Sequence, residues 1–205
     1  ITNVVLTADE SSLLPSIDIV GFIKDYYTPG CNSVLPVISL DSDDKPVLSG
    51  GAVMKKDVMV GELDYEQSNI YVMLRENSST GIMVYECELR GEKCEVTALC
   101  GITRSIKTNR RGSGYEFEIA LDINADIMEI SSLTSMTPSV EEINILTEQL
   151  NKSVEERAYK YLNYIHKELG LDNLGLAREV LAMDRSQAEQ CDTKEFWQDI
   201  KVTVK

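Results

Sequence analysis

The sequence predicts an α+β protein: an antiparallel-rich sheet with a long amphipathic helix and shorter helices packed on one face, preceded by a small partial domain. Three observations lead to this fold class. Residues 81–123 alternate between apolar and polar side chains as strands do, residues 137–170 carry a helical apolar stripe, and residues 200–205 alternate again. An isolated strand is not stable, so we expect the last one to join the sheet.

The composition is that of a globular chain, with 205 residues of which 43% are hydrophobic. A sizeable core can form at this length. The formal net charge is −14, and the densest basic cluster is the pair Arg110-Arg111. Such a chain repels phosphate backbones, so we expect no binding to nucleic acid. The sequence has no run of about 20 apolar residues, so it predicts no membrane-spanning segment.

The pattern of residues 1–46 predicts a strand, a helix and a second strand. This block is too short to hold a core alone. We therefore predict a small or partial domain, the end of a preceding one, over 1–46, and a C-terminal α+β domain over 47–205. The helix runs from a cap at Ser11 or Ser12 to Tyr27, and Thr28-Pro29-Gly30 ends it. In the strand 34–40, Pro36 favours an edge position.

A hairpin opens the second domain. The apolar runs 52–54 and 58–60 flank the polar trio Lys55-Lys56-Asp57, which is typical of two strands joined by a short turn. Asp64 then begins a helix, and Gln67 stands three residues later, as in a capping box. Ile70, Tyr71 and Leu74 would form the buried face of this helix.

Three strands follow as a meander. A two-residue turn at Arg90-Gly91 would place Cys87 directly opposite Cys94. Both thiols would then lie on the apolar face, either as core side chains or as a cross-strand disulfide. Residues 115–123 form the clearest strand, with an acidic outer face.

The long helix begins at Thr137, which is a good N-cap, with Pro138 at the first helical position. Its apolar stripe continues to Gly170, the C-cap, so at ~1.5 Å per residue the helix is about 50 Å long. We expect it to lie across the sheet. A shorter helix over about 174–184 and a helical turn capped by Thr193 precede the closing strand.

The sequence contains no recognisable catalytic or phosphate-binding motif. The single histidine, His166, falls in the last turn of the long helix, where a cation would meet the negative end of the helix dipole. The cysteines are odd in number and lack a Cys-x-x-Cys pair, which does not favour a zinc site. We therefore predict no catalytic residue, no metal site and no cofactor.

Four ordered segments carry a family resemblance, and they are 49–64, 166–170, 171–177 and the pair Phe196-Trp197. Together they resemble the Ger(x)C family, the C-subunit lipoproteins of spore germination receptors. The chain departs from the family pattern where Leu174 and Leu176 replace aromatic residues, where Ala177 replaces a glycine, and where Glu62 replaces a common tryptophan.

The resemblance implies a non-catalytic C subunit of a nutrient germinant receptor, which acts with membrane-associated A and B subunits. Members of this family are lipid-anchored on the outer face of the spore inner membrane. The chain starts at Ile1 without a methionine or a signal-peptide pattern. We therefore expect it to be an internal or trimmed piece, with any lipid anchor upstream of Ile1.

The candidate binding residues are those of two compact, family-like regions. Lys55, Lys56 and Asp57 form the hairpin tip, and Asp172 and Asn173 belong to the short-helix region 171–186. Two other functions stay open from the sequence. One is an extracytoplasmic hydrolase that uses at least two carboxylates in a deep pocket, and the other is a small-ligand binding domain that senses the nutrient itself.

Overall fold

The computed structural model describes residues 15–112, 114–131 and 138–205, and within these ranges it has two sheets. The three-stranded sheet has the order β1-β2-β3 and the four-stranded sheet has the order β4-β5-β6-β7. The strands are β1 Ser33–Leu40, β2 Pro46–Lys55, β3 Val58–Leu63, β4 Ser78–Leu89, β5 Glu92–Arg111, β6 Gly114–Ile130 and β7 Lys201–Val204. All pairings are antiparallel except β6 with β7. The predicted α+β class is therefore confirmed.

The helices of the described ranges are mostly short, and one is long. They are α1 Ile19–Tyr27, α2 Tyr65–Arg75, α3 Val140–Leu162, α4 Leu176–Met183, α5 Ala188–Cys191 and α6 Lys194–Asp199. A π-helical segment, Asn163–Leu169, continues α3, and a 3₁₀ turn, Arg185–Gln187, precedes α5. None of these helices combines the length and the apolar character that crossing a bilayer requires.

Two helix starts differ from the prediction. Ser139 caps α3, and its side chain and that of Glu142 form a reciprocal capping box, so Pro138 lies before the helix and not inside it. The predicted cap Thr137 lies outside the described residues. Helix α1 begins later than predicted because the Asp18 side chain accepts a hydrogen bond from the Gly21 N–H and so caps it there. The predicted caps Ser11 and Ser12 lie outside the described residues.

The hairpin before α2 is confirmed. Lys55 pairs with Val58, which leaves Lys56 and Asp57 as the turn, and Lys56 has a φ of 57°. Strand β1 pairs antiparallel with β2, and its edge position agrees with Pro36. This pairing joins residues on both sides of the predicted boundary between residues 46 and 47, and the division itself stays a prediction.

The four-stranded sheet has the predicted register, because Cys87 lies opposite Cys94 and Glu88 opposite Lys93. Strands β5 and β6 extend well beyond the predicted strand ends. The closing strand does join the sheet, parallel to β6. The apolar face of this sheet packs in one core with buried residues of α3, which are Leu146, Leu150, Val154, Ala158, Tyr161 and Leu162.

Candidate functional site

A buried ionic network joins three distant parts of the chain. Asp25 of α1 is fully buried and accepts hydrogen bonds from Nη2 of Arg75 at 3.1 and 3.0 Å. It also accepts from Nη2 of Arg178, on α4. A buried carboxylate requires such partners, because an unpaired charge away from water is costly. The network therefore fixes α1 and α4 to the end of α2.

Asp172 holds the loop that leads into α4. Its Oδ1 accepts from the Leu174 N–H at 2.9 Å and its Oδ2 from the Ala177 N–H at 2.8 Å. Its backbone oxygen accepts from the Asn32 N–H at 2.7 Å. Burial raises the pKa of this carboxyl above its ordinary value, although these backbone bonds and Arg75 oppose the shift.

Asn173 is also turned inward. Its Oδ1 accepts from the Tyr161 hydroxyl at 2.7 Å, and its backbone oxygen accepts from Arg75 at 3.2 Å. Both Asp172 and Asn173 have 0% of their surface exposed. These two side chains therefore stabilise the loop from inside the protein and are not available at its surface. That a partner binds the exposed residues of the 171–186 region stays a prediction.

The hairpin tip lies beside this loop. Lys55 and Lys56 are exposed and line a cavity of about 250 Å³ together with Gly170, Leu171 and residues 26–32 at the end of α1. Cys191, Asp192 and Trp197 complete its wall. Asp57 is exposed at the turn. The two regions predicted from the sequence therefore meet at one surface feature, which we call the hairpin cleft.

The five cysteines are all buried free thiols in the structure. Burial raises the pKa of Cys87 to about 12 and that of Cys191 to about 11, so these thiols stay protonated near neutral pH. Of the two alternatives for Cys87 and Cys94, the structure shows the core thiols.

The predicted charge on His166 is wrong. Only 3% of its surface is exposed, and burial first and the nearby Lys167 second lower its pKa to about 4. The imidazole is therefore neutral near pH 7 and packs against the Trp197 ring at a centroid distance of 5.9 Å. Its structural role lies in the core and not at the helix dipole.

Carboxylates gather in a groove of about 710 Å³ between α2, α3 and β4. Its acidic residues are exposed, and they are Asp64, Glu66, Glu86, Glu95 and Glu156. Lys152, Arg157 and Lys160 lie among them, and Arg157 contacts Glu66 at 3.7 Å. These exposed carboxylates, with basic side chains among them, lie in a surface groove and not in the deep acidic pocket expected for a hydrolase. The described ranges hold no group of three or more His, Cys, Asp or Glu side chains placed to bind a metal ion.

Sequence reasoning missed Asp25, Arg75 and Arg178, which meet only through tertiary contacts. It also missed Arg104 of β5, whose guanidinium donates a hydrogen bond to the Leu74 backbone oxygen near the end of α2. The one local signal is Asp25 itself, the only acidic residue within α1.

A comparison of the sequence with protein-family models identifies the family from the C-terminal three quarters of the chain. The model of the family "Spore germination B3/GerAC like, C-terminal" matches residues 49–205. The chain belongs to this GerAC-like family. The predicted relationship to germination receptor C subunits is therefore confirmed at the level of the family.

A solved structure shows the same fold as this GerAC-like chain. The crystal structure of the GerBC protein superposes with a TM-score of 0.72 and 14% sequence identity. The match covers 93% of this chain and 60% of that chain, so the present sequence spans less than two thirds of the chain it matches. No curated protein matches the sequence.

Proposed function

We propose that this chain is the C subunit of a nutrient germinant receptor and works by binding other proteins, without catalysis or a cofactor. Its partners are the membrane-associated A and B subunits, and its place is the outer face of the spore inner membrane, held by a lipid anchor. The family match over residues 49–205 carries this proposal.

The distribution of charge supports a binding role. The ionisable groups of residues 172–178 hold elements together: Asp172 accepts from the Leu174 and Ala177 N–H groups, and Arg178 pairs with Asp25 of α1. In contrast, the hairpin tip presents exposed Lys55 and Lys56 next to large exposed apolar side chains. These include Tyr27, Val58 and Met59, which are 77%, 57% and 51% exposed. Apolar side chains of this size at a surface are typical of protein contacts.

The experiment reverses the charges of the hairpin tip in the full-length protein. Spores carrying Lys55→Glu, Lys56→Glu and Asp57→Lys should germinate more slowly with nutrient, and the variant should capture less of the A and B subunits in a pull-down. The matched control is the start of β5, where Glu92→Lys and Lys93→Glu change exposed residues beside the Arg90-Gly91 turn. Unchanged capture and unchanged germination in the first variant would refute the role of this surface.

The location is tested separately. The full-length protein should sediment with the spore inner membrane and leave it when the acylated cysteine upstream is replaced. Recovery of the protein in the spore core or in the coat fraction would contradict the proposed anchor.

A further inference from the structure

A second cavity, distinct from the hairpin cleft, lies between α1, the end of α2, β5 and the start of α4. Its volume of about 590 Å³ is within the range that holds small molecules. Four basic side chains line it, and they are Lys24, Arg75, Arg104 and Arg178. We call it the arginine cavity.

The charges of the arginine cavity are arranged by depth. The three arginines are partly buried, whereas its acidic residues, Asp18, Glu76 and Glu179, are exposed. Arg75 and Arg178 share the buried carboxylate of Asp25 beneath the cavity. The floor is therefore more cationic than the rim, in a chain whose formal net charge is −14.

Of the three arginines of the cavity, Arg104 is the one that forms no ion pair with a carboxylate of the described residues. Its Nη1 donates to the Leu74 backbone oxygen at 2.7 Å and its Nη2 to Oδ1 of Asn77 at 3.0 Å, and both acceptors are neutral. Within the described ranges, no carboxylate lies at ion-pair distance from its guanidinium. A partly buried cation without a counter-charge carries a free-energy cost that an anion would offset.

The surrounding electrostatics agree with this. Burial first and the positive Arg75 second lower the pKa of Arg104, although Glu76, Glu179 and Asp172 oppose the shift. In addition, the buried Nε atoms of Arg104 and Arg178 have no hydrogen-bond acceptor among the described residues. Buried donors are rarely left unpaired in folded proteins. The guanidinium group is the side chain best suited to bind carboxylate or phosphate oxygens.

We propose that the arginine cavity binds a small molecule through an oxyanion, a carboxylate or phosphate group, held by Arg104 and Arg178 with Lys24 at the rim. This goes beyond the assembly proposal and does not depend on it, because the hairpin cleft shares no lining residue with the arginine cavity.

The experiment is calorimetric titration of the purified full chain with sodium phosphate and, separately, with sodium succinate, both at constant ionic strength against chloride. At least one anion should bind saturably at one site per chain. Binding of phosphate alone would identify a phosphate ligand, binding of succinate alone would identify a carboxylate ligand, and binding of both would support the shared oxyanion site. Absence of saturable binding with both anions would overturn the proposal.

Variants then locate the site. Arg104→Gln should weaken binding about tenfold, as expected for the loss of one charge-assisted contact. Lys107→Gln removes an exposed charge from the same strand outside the cavity and should leave binding unchanged. Lys24→Gln, at an exposed position of α1, should weaken binding several-fold. This variant tests the site if circular dichroism shows that Arg104→Gln does not fold. Equal losses in Lys107→Gln and the cavity variants would show general charge attraction and overturn the assignment.

Discussion

Gln149 on α3 pairs with the backbone of Glu88 on β4 through both ends of its side-chain amide. Its Oε1 accepts from the Glu88 N–H at 2.7 Å, and its Nε2 donates to the Glu88 oxygen at 2.9 Å. Strand β4 is an edge of the four-stranded sheet. The amide therefore takes the place of a neighbouring strand at this point, and it satisfies backbone groups that would otherwise be free to pair with another molecule.

Replacing Gln149 by alanine removes both of these hydrogen bonds. We expect the free energy of unfolding to fall by about 1–2 kcal/mol, since each such bond contributes on the order of 1 kcal/mol. Urea denaturation measures the loss, and Glu148→Ala, an exposed neighbour on α3, is the control. A loss no larger than that of the control would show that the pairing contributes nothing to stability.

Replacing Asp25 by alanine leaves Arg75 and Arg178 without their shared carboxylate. Removing one partner of a buried ion pair costs about 3–5 kcal/mol, because the remaining charge stays buried. The combined variant Asp25→Leu, Arg75→Met, Arg178→Leu removes every charge of the network and should lose less stability than Asp25→Ala. If the single variant were the more stable of the two in chemical denaturation, the ion network would not be the reason for the loss.

His166 makes stability depend on pH. The folded-state pKa is about 4, below the ordinary value of 6.5, so the unfolded state binds the proton more readily. Stability from this group is therefore complete above pH 6.5 and is lost as the pH falls from 6.5 towards 4. The full loss corresponds to about 3 kcal/mol.

The difference between the wild type and His166→Gln isolates this effect from that of the carboxyl groups. Glutamine does not titrate, so this variant should lose less stability than the wild type between pH 7 and pH 4. Equal slopes of unfolding free energy against pH in the two proteins would contradict a buried neutral imidazole.

Gly61 lies where the end of the long helix meets β3. A Cβ added there would lie 2.7 Å from the Tyr164 hydroxyl oxygen and 2.8 Å from Cδ1 of Leu169. Gly61→Ala should therefore cost about 1–3 kcal/mol through overpacking. Gly101→Ala is the matched control in a strand, because the nearest atom to its added Cβ is 4.0 Å away. Thermal unfolding compares the two, and an equal shift in Tm would disprove the close contact.

Local sequence patterns predicted much of this fold. The capping box of Asp64 and Gln67 is present as expected. The two-residue turn at Arg90-Gly91 was enough to place Cys87 opposite Cys94, because a hairpin turn sets the register of its strands. The start of the long helix was predicted at Thr137, but Ser139 caps the helix, so the local pattern was wrong there.

The environment of single side chains could not be predicted in the same way. The position of His166 near a helix end favoured a charged imidazole, but burial, with Lys167 nearby, lowers its pKa and keeps it neutral. Asp172 and Asn173 were expected at a partner-binding surface, because the 171–186 region is compact and family-like. They are buried instead: the Asp172 carboxylate accepts hydrogen bonds from backbone N–H groups of the loop, and the Asn173 side chain accepts one from the Tyr161 hydroxyl.

The sequence by itself determined the elements, their order and the register of the hairpins, because these depend on the periodicity and turn chemistry of neighbouring residues. Only the tertiary structure decided which charges meet. Asp25, Arg75 and Arg178 come from three separate helices, and Arg104 comes from a strand of the sheet. Their convergence around one cavity depends on how those elements pack. Packing between distant segments produces no periodic pattern in the sequence, so the sequence did not predict it.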